Sequence, residues 1–248
     1  MALLQYVLSL ADTALIAGHR NSEWTGHGPI LEQDIALSNI ALDQVGQARM
    51  LYQYAALLTG DGATEDTLAY LRDAREYKNC LLVELPNGHW GNTILKQFFL
   101  SAYQFPLYDQ LRKSEDAQLA AIAEKSIREV TYHLRWSSEW VIRLGDGTTE
   151  SKTKMQEALN ELWRYTGEFF TPAPYEETLA ASNNAADLSQ LKTDFTQRVE
   201  QVLSEATLTI PPNQPWQTGG KTGIHTEHLG FLLAEMQFLQ RAYPGNEW

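Results

Sequence analysis

The sequence predicts an all-α protein, a helical bundle with additional helices. Apolar residues recur at helical spacing in long segments, short breaks with Gly or Pro separate these segments, and no set of alternating strands occurs. The chain has 248 residues, of which 44% are apolar, and this is enough for one large core. We therefore expect one domain over residues 1–248.

Eight helices follow from the positions of the breaks. They are expected at about 2–20, 29–59, 64–85, 90–113, 116–144, 148–170, 187–206 and 224–243. Pro29 suits a helix start, Gly60-Asp61-Gly62 ends the second helix, and Pro106 should kink the fourth. The segment 208–216 is expected to be extended, and the loop 172–186 is the softest boundary.

The second helix carries apolar residues on two sides. One face has Leu31, Ile35, Leu42 and Val45, and the opposite face has Leu37, Ile40, Ala41, Ala48 and Leu51. A helix of this kind is expected at the centre of a bundle rather than at its surface. Gly46 costs roughly 1 kcal/mol relative to alanine, which a close contact with another helix would explain.

Charge and composition argue against several classes of protein. The formal charge of −12 disfavours binding to nucleic acid, which needs a basic face, and to an anionic membrane surface. No apolar run approaches the roughly 20 residues that span a bilayer. The N-terminus lacks the basic start of a signal peptide, and the single cysteine, Cys80, allows no intramolecular disulfide. We therefore expect a cytoplasmic protein.

The sequence lacks the ligand pairs of a carboxylate-bridged di-iron bundle. Such a bundle takes a Glu-x-x-His pair from each of two helices, and neither Glu-x-x-His nor Asp-x-x-His occurs here. The weak candidates for a metal site are Asp43, Glu84, Glu129 and His133, with His225 and His228 as a separate pair. Gly46, three residues after Asp43, cannot ligate, and Glu129 and His133 can simply hydrogen-bond one turn apart. We therefore expect no catalytic, cofactor-binding or metal-binding residue.

The stretch Gly219-Gly220-Lys221-Thr222 is similar to the end of a phosphate-binding loop. That motif needs a glycine at the place of Pro215 and a preceding strand, so nucleotide hydrolysis is disfavoured. The turn with Lys221 could still hold a phosphate of a ligand or a carboxylate of a partner, or it could simply pack on the bundle. In the first turn of the last helix, Thr226 or Glu227 could cap free N–H groups.

Stretches over nearly the whole chain match one known family. They are 23–27, 35–43, 46–49, 84–88, 132–135 and 226–241, followed by 244–245 and 248. In these stretches the chain resembles the C-subunit family of the bacterial phenylacetyl-CoA epoxidases, the multicomponent monooxygenases of phenylacetate degradation. The most specific is the C-terminal block that contains Thr226-Glu227-His228-Leu229-Gly230.

The resemblance implies a ferritin-like fold and a structural, non-catalytic role. In that family the A-subunit is the catalytic one; it carries the di-iron centre and epoxidises the ring of phenylacetyl-CoA. The implied partner is therefore this catalytic A-subunit, with a small B-subunit and a flavin/iron–sulfur reductase as further candidates, and the chain alone could form a homo-oligomer. Two alternatives stay open: a metal-binding oxygenase in its own right, and a docking module for a coenzyme A thioester that uses Lys221 or other basic residues near the loop.

Overall fold

The computed structural model of this chain describes residues 1–180, 184–212 and 214–246. Asn213 of the expected extended segment and Trp248 of the matching stretches lie outside these residues. The helices are α1 (Ala2–Ser22), α2 (Leu31–Thr59), α3 (Glu65–Tyr70), α4 (Leu81–Glu84), α5 (Trp90–Leu111), α6 (Ala117–Gly145), α7 (Thr149–Thr166), α8 (Pro174–Leu179), α9 (Leu188–Glu205), α10 (Glu227–Met236) and α11 (Phe238–Ala242). No strand occurs in the described ranges, and the all-α class is confirmed.

Two long helix pairs form the centre of the fold. α1 packs along α2 and α5 packs along α6. The first pair is antiparallel, because Asp12 lies opposite Tyr52 while Gly18 lies against Ala41 and Val45. A Cβ atom on Gly18 would stand 2.9 Å from Val45 Cγ2, so glycine allows this close approach. α7 and α9 pack against α5, and α8 packs against α1.

The position of α2 differs from the expectation that both of its apolar faces are covered. The face with Leu37, Ile40, Ala41, Ala48 and Leu51 is buried in the core. The other face is open: Leu31 is 71% exposed, Ile35 52%, Leu42 69% and Val45 40%. The periodicity detected two apolar faces, but the described part of the chain covers only one of them.

The third helix predicted over 64–85 is wrong, because the chain leaves the helix after α3. In a continuous helix the Leu68 carbonyl would accept the backbone N–H of Arg72. Instead it accepts the Arg72 side chain, whose Nε lies 2.5 Å away. The guanidinium then reaches Asp12 on α1 and forms a buried ion pair. Between α3 and α4 the chain forms only a short 3₁₀ turn, Ala74–Glu76.

Other helix boundaries also differ from those predicted from the sequence. The last helix starts at Glu227 and is divided near Gln237, whose side-chain amide donates to the Arg72 carbonyl at 3.0 Å. α7 ends at Thr166 and continues as a short 3₁₀ turn. The loop expected at 172–186 contains α8, a six-residue helix. α2 ends at Gly60, as predicted, and α5 continues through Pro106.

Among the helices within residues 1–180, 184–212 and 214–246, none combines the length and the apolar character that crossing a bilayer requires.

Candidate functional site

Neutral amides meet at the centre of the two helix pairs. Asn21 of α1 donates through Nδ2 to Gln44 Oε1 of α2 at 2.8 Å and to Gln97 Oε1 of α5 at 2.7 Å. Gln44 Nε2 also donates to Gln97 Oε1, and Gln97 Nε2 donates to Ser101 Oγ at 2.8 Å. All four side chains are buried. They satisfy one another's hydrogen bonds, which is how a core tolerates buried polar groups.

A row of four polar side-chain pairs, the α2/α6 seam, links α2 to α6. From the N-terminus of α2 the pairs are Gln33 with Trp136, Asp43 with His133, Gln47 with Glu129, and Tyr54 with Asp116. The order shows that α2 and α6 run antiparallel.

The seam brings together three of the four weak metal candidates. His133 Nε2 lies 2.9 Å from Asp43 Oδ2, and the His133 side chain is fully buried while Asp43 is 37% exposed. His133 Nδ1 is buried without a hydrogen-bond partner. Glu129 Oε2 accepts from Gln47 Nε2 at 2.8 Å. Because His133 Nε2 faces Asp43 and Nδ1 has no partner, the hydrogen bond between Glu129 and His133 that the sequence suggested is not formed. Burial raises the pKa of Glu129, and the Asp43 charge raises it further.

Glu84 lies apart from these three residues and fixes the C-terminal segment. Its Oε2 accepts from His225 Nδ1 and from Asn79 Nδ2, each at 2.8 Å. Its Oε1 accepts the backbone N–H of Thr226 at 2.6 Å, so Glu84 serves α10 where the sequence predicted a cap from Thr226 or Glu227. None of these partners belongs to α2 or α6.

Both ring nitrogens of His225 are engaged, which removes it as a metal ligand. Nδ1 faces Glu84, and Nε2 lies 2.9 Å from the Tyr77 carbonyl, which can only accept. Both nitrogens therefore donate, as in an imidazolium. Burial lowers the pKa of His225, but the hydrogen bond and charge of Glu84 outweigh it and the net pKa is raised. His228 is only partly buried, and its described contact is its carbonyl, 3.4 Å from Arg20 Nη2.

The glycine turn binds an anion, but the anion is a side chain of this protein. Glu168 accepts the backbone N–H groups of Gly219, Gly220 and Leu81 at 2.8, 2.7 and 2.6 Å. Burial raises the pKa of Glu168, and these N–H groups oppose that rise. A Cβ atom on Gly220 would stand 2.3 Å from the Asn79 carbonyl, so the turn needs glycine there.

Lys221 is also used within the chain. Its Nζ lies 2.5 Å from Glu176 Oε2 and donates to the Thr171 carbonyl at 3.0 Å, and both charged side chains are at least nine-tenths buried. The Lys221 ammonium group is therefore already paired within the chain, and the docking of a coenzyme A thioester stays an untested alternative. Together, Glu84, Glu168 and Glu176 hold the turn 219–226 against the bundle, and we call them the C-terminal anchor.

The residues present do not fit a di-iron centre. A di-iron bundle presents four carboxylates and two imidazoles inside its four helices. Here the interior positions of α1, α2 and α5 carry Asn21, Gln44 and Gln97, and Glu84 is occupied elsewhere. Within the described ranges, no three side chains of His, Cys, Asp or Glu converge on a point that could hold a metal ion.

Nothing in the sequence pattern signalled the amide network. Asn21, Gln44 and Gln97 are separated by 23 and 53 residues, and amides at helical positions carry no ligand spacing to detect. Glu168 was also missed as the anion of the glycine turn. Glu168 follows Gly167 and precedes Phe169, and no spacing in the sequence links it to a turn about 50 residues away.

Known proteins give the same assignment as the resemblance. A family model described as "Phenylacetic acid catabolic protein" matches residues 1–248. A protein of Escherichia coli (strain K12) that is named as the C-subunit of 1,2-phenylacetyl-CoA epoxidase is 49% identical over 246 residues, which is 99% of each chain. The likeness spans both proteins from end to end, and this chain belongs to the phenylacetic acid catabolic protein family, with its ferritin-like helical fold.

Proposed function

We propose that this chain is the structural, non-catalytic subunit of a phenylacetyl-CoA ring-epoxidising monooxygenase of aerobic phenylacetate degradation. It pairs with the di-iron catalytic A-subunit and stabilises it. The observation that carries the non-catalytic role is the amide network of Asn21, Gln44 and Gln97. A di-iron bundle carries carboxylates and imidazoles in its interior, whereas the buried side chains that join α1, α2 and α5 here are neutral amides. The likeness to the E. coli C-subunit supports placing the chain in this system.

The pairing is supported by the open face of α2. Leu31, Ile35, Leu42 and Val45 form an exposed apolar stripe along the helix. Exposed large apolar residues gathered on one face of a helix are typical of interaction sites in soluble proteins. Tyr132 of α6, 37% exposed, adds an aromatic side chain beside the seam, and aromatic residues are enriched at interfaces.

The presence of glycine at position 46 is explained by close contact with a partner rather than by a contact within this chain. The sequence predicted a close helix contact, but a Cβ atom on Gly46 would meet nothing within 4 Å. Gly46 is exposed on the same side of α2 as Leu42 and Val45. A glycine here permits another chain's helix to approach the α2 backbone closely.

A second bundle docked on α2 would support the catalytic one physically. A metal site in a helical bundle needs rigid surroundings to hold its ligands in place. Obligate interfaces commonly bury about 2,000 Å² or more and resemble a protein core. In this proposal the catalytic A-subunit is the main partner, and the small B-subunit and the reductase are further contacts. The complex is cytoplasmic.

Two measurements on purified protein test the proposal. After expression in iron-supplemented medium, elemental mass spectrometry should find well below one iron atom per chain. In size-exclusion chromatography with light scattering, the chain should form a stable complex with the catalytic A-subunit from the same organism. Close to two iron atoms per chain, or no complex at micromolar concentrations, would contradict it.

A further inference from the structure

We propose that a polar cavity inside the bundle binds one water molecule, which links Tyr103 and Gln104 of α5 to Lys221 of the turn 219–226. None of the residues that line this cavity belongs to the α2/α6 seam or to the amide network of α1, α2 and α5. The site does not depend on the proposed function, because it needs no partner protein. It adds an internal connection between α5 and the turn that the C-terminal anchor holds.

The cavity lies between α1, α5 and the segments that surround the C-terminal turn. Its polar lining comes from several parts of the chain and includes Ser9, Thr13, Cys80, Tyr103, Gln104 and Lys221. All six of these residues are buried. The room for the centre of a water molecule is about 10 Å³, which is about what one ordered water needs and too little for a larger ligand.

Gln104 is a buried amide that has no hydrogen-bond partner among the described residues. Its side chain is 2% exposed, and its Oε1 accepts no hydrogen bond from them. Gln97, about two turns earlier on the same helix, is equally buried, but its amide bonds to Asn21, Gln44 and Ser101. A buried amide without a partner is unfavourable, so such groups in native proteins are nearly always paired with protein or with ordered water.

Two further groups at the cavity complete the bonding of a water molecule. The Tyr103 side chain is 5% exposed, and its hydroxyl pairs with no other residue in the described ranges. Burial raises the pKa of Tyr103, so the hydroxyl keeps its proton and can donate it in a hydrogen bond. Lys221 Nζ has three N–H donors, and two of them serve Glu176 Oε2 and the Thr171 carbonyl. One N–H donor of Lys221 therefore remains for the water.

Water suits this site better than an ion does. A water molecule can accept from Lys221 and donate to Gln104 Oε1, and Tyr103 completes about three hydrogen bonds, the usual number for a buried water. A cation would lie beside the ammonium group of Lys221, which repels it. An anion would meet the Glu176 carboxylate, which also lines the cavity, and Gln104 Oε1, which can only accept.

The first test is a crystal structure of the native chain at a resolution that shows other buried water molecules. We expect one peak of electron density in the cavity, at about 2.7–3.2 Å from the Gln104 amide, from Tyr103 Oη and from Lys221 Nζ. A well-ordered cavity without a peak would overturn the proposal. A peak beyond hydrogen-bonding distance of Gln104 would overturn it as well.

The second test measures thermal unfolding in solution. Gln104→Met removes the amide with little change in size, and the loss of its hydrogen bonds to water should lower the Tm by about 2–4 °C. Gln97→Met, which loses bonds to Asn21 and Gln44, is the matched buried control and should also lower the Tm. Gln118→Met, at an exposed position on α6, should shift the Tm by less than about 1 °C. An unchanged or raised Tm for Gln104→Met would overturn the proposal, because removing an amide that has no partner relieves an unfavourable burial.

Discussion

The C-terminal anchor and the α2/α6 seam contain the same kind of pair in opposite settings. His225 Nδ1 lies 2.8 Å from Glu84 Oε2, and His133 Nε2 lies 2.9 Å from Asp43 Oδ2. In the anchor the Glu84 side chain is fully buried and both of its oxygens accept hydrogen bonds from the chain. In the seam Asp43 is partly exposed, and no described residue donates a hydrogen bond to its second oxygen, Oδ1. A carboxylate satisfied within the chain holds the fold together, whereas one left unsatisfied beside apolar surface is available to a partner.

The largest expected effect is the loss of stability when a carboxylate of the C-terminal anchor is removed. Glu168→Ala leaves the buried N–H groups of Leu81, Gly219 and Gly220 without an acceptor, and each such loss costs about 1–3 kcal/mol. We expect the free energy of unfolding to fall by about 3–5 kcal/mol in urea titrations followed by circular dichroism. Glu177→Ala, at an exposed position on α8, is the control and should change it by less than about 0.5 kcal/mol. A loss below about 1 kcal/mol for Glu168→Ala would show that the turn does not depend on this carboxylate.

Substitutions on the open face of α2 should lower the affinity for the partner and leave the stability of the isolated chain unchanged. Ile35→Gln/Leu42→Gln changes two exposed residues, so the stability of the isolated chain should move by less than about 0.5 kcal/mol. Affinity for the catalytic partner, measured by biolayer interferometry, should fall by about 100-fold because the apolar contact is lost. Leu71→Gln, at an exposed position outside α2, is the matched control and should bind like the native chain. Similar affinities for all three proteins would move the interface away from α2.

A substitution at Gly46 should change the stability of the chain and its binding to the partner in opposite directions. Gly46→Ala places a methyl group in open space in this chain and should stabilise it by about 0.5–1 kcal/mol, since glycine is unfavourable within a helix. The same methyl group should weaken binding of the catalytic partner. Gly230→Ala on α10, also in open space, should give the stability gain alone. If both variants bind normally, no helix approaches α2 closely at Gly46.

The smallest effect should be the pH dependence contributed by His225. Its folded pKa is raised, so its contribution to stability is complete below its unfolded pKa of about 6.5 and is lost as pH rises through the folded value. The native chain should therefore lose more stability than His225→Gln between pH 6 and pH 8.5 in urea titrations. Comparison with the variant is needed because burial lowers the pKa of His19 and of Lys96, which act in the opposite direction. Parallel pH profiles would mean that His225 is not an imidazolium in the folded protein.

The local pattern of apolar residues predicts the helices. The features that the sequence analysis missed depend on pairs of residues that lie far apart in the chain. The apolar periodicity and Gly60-Asp61-Gly62 place α2 correctly, because the helix and its end are decided by neighbouring residues. The break after α3 depends on Arg72 meeting Asp12, 60 residues earlier. The glycine turn was recognisable as an anion site, but its anion, Glu168, lies 52 residues before Gly220. Periodicity also cannot tell whether an apolar face such as that of Leu42 is covered by the same chain or by another.

Turnover of phenylacetyl-CoA tests the central claim most directly. Epoxidation would be measured for the reductase and the catalytic partner with increasing amounts of this chain, and for this chain with the reductase alone. We predict that turnover rises with this chain to a saturating value, is low without it, and is absent when the catalytic partner is omitted. Full turnover without this chain, or turnover by this chain and the reductase alone, would contradict the role of a structural, non-catalytic partner.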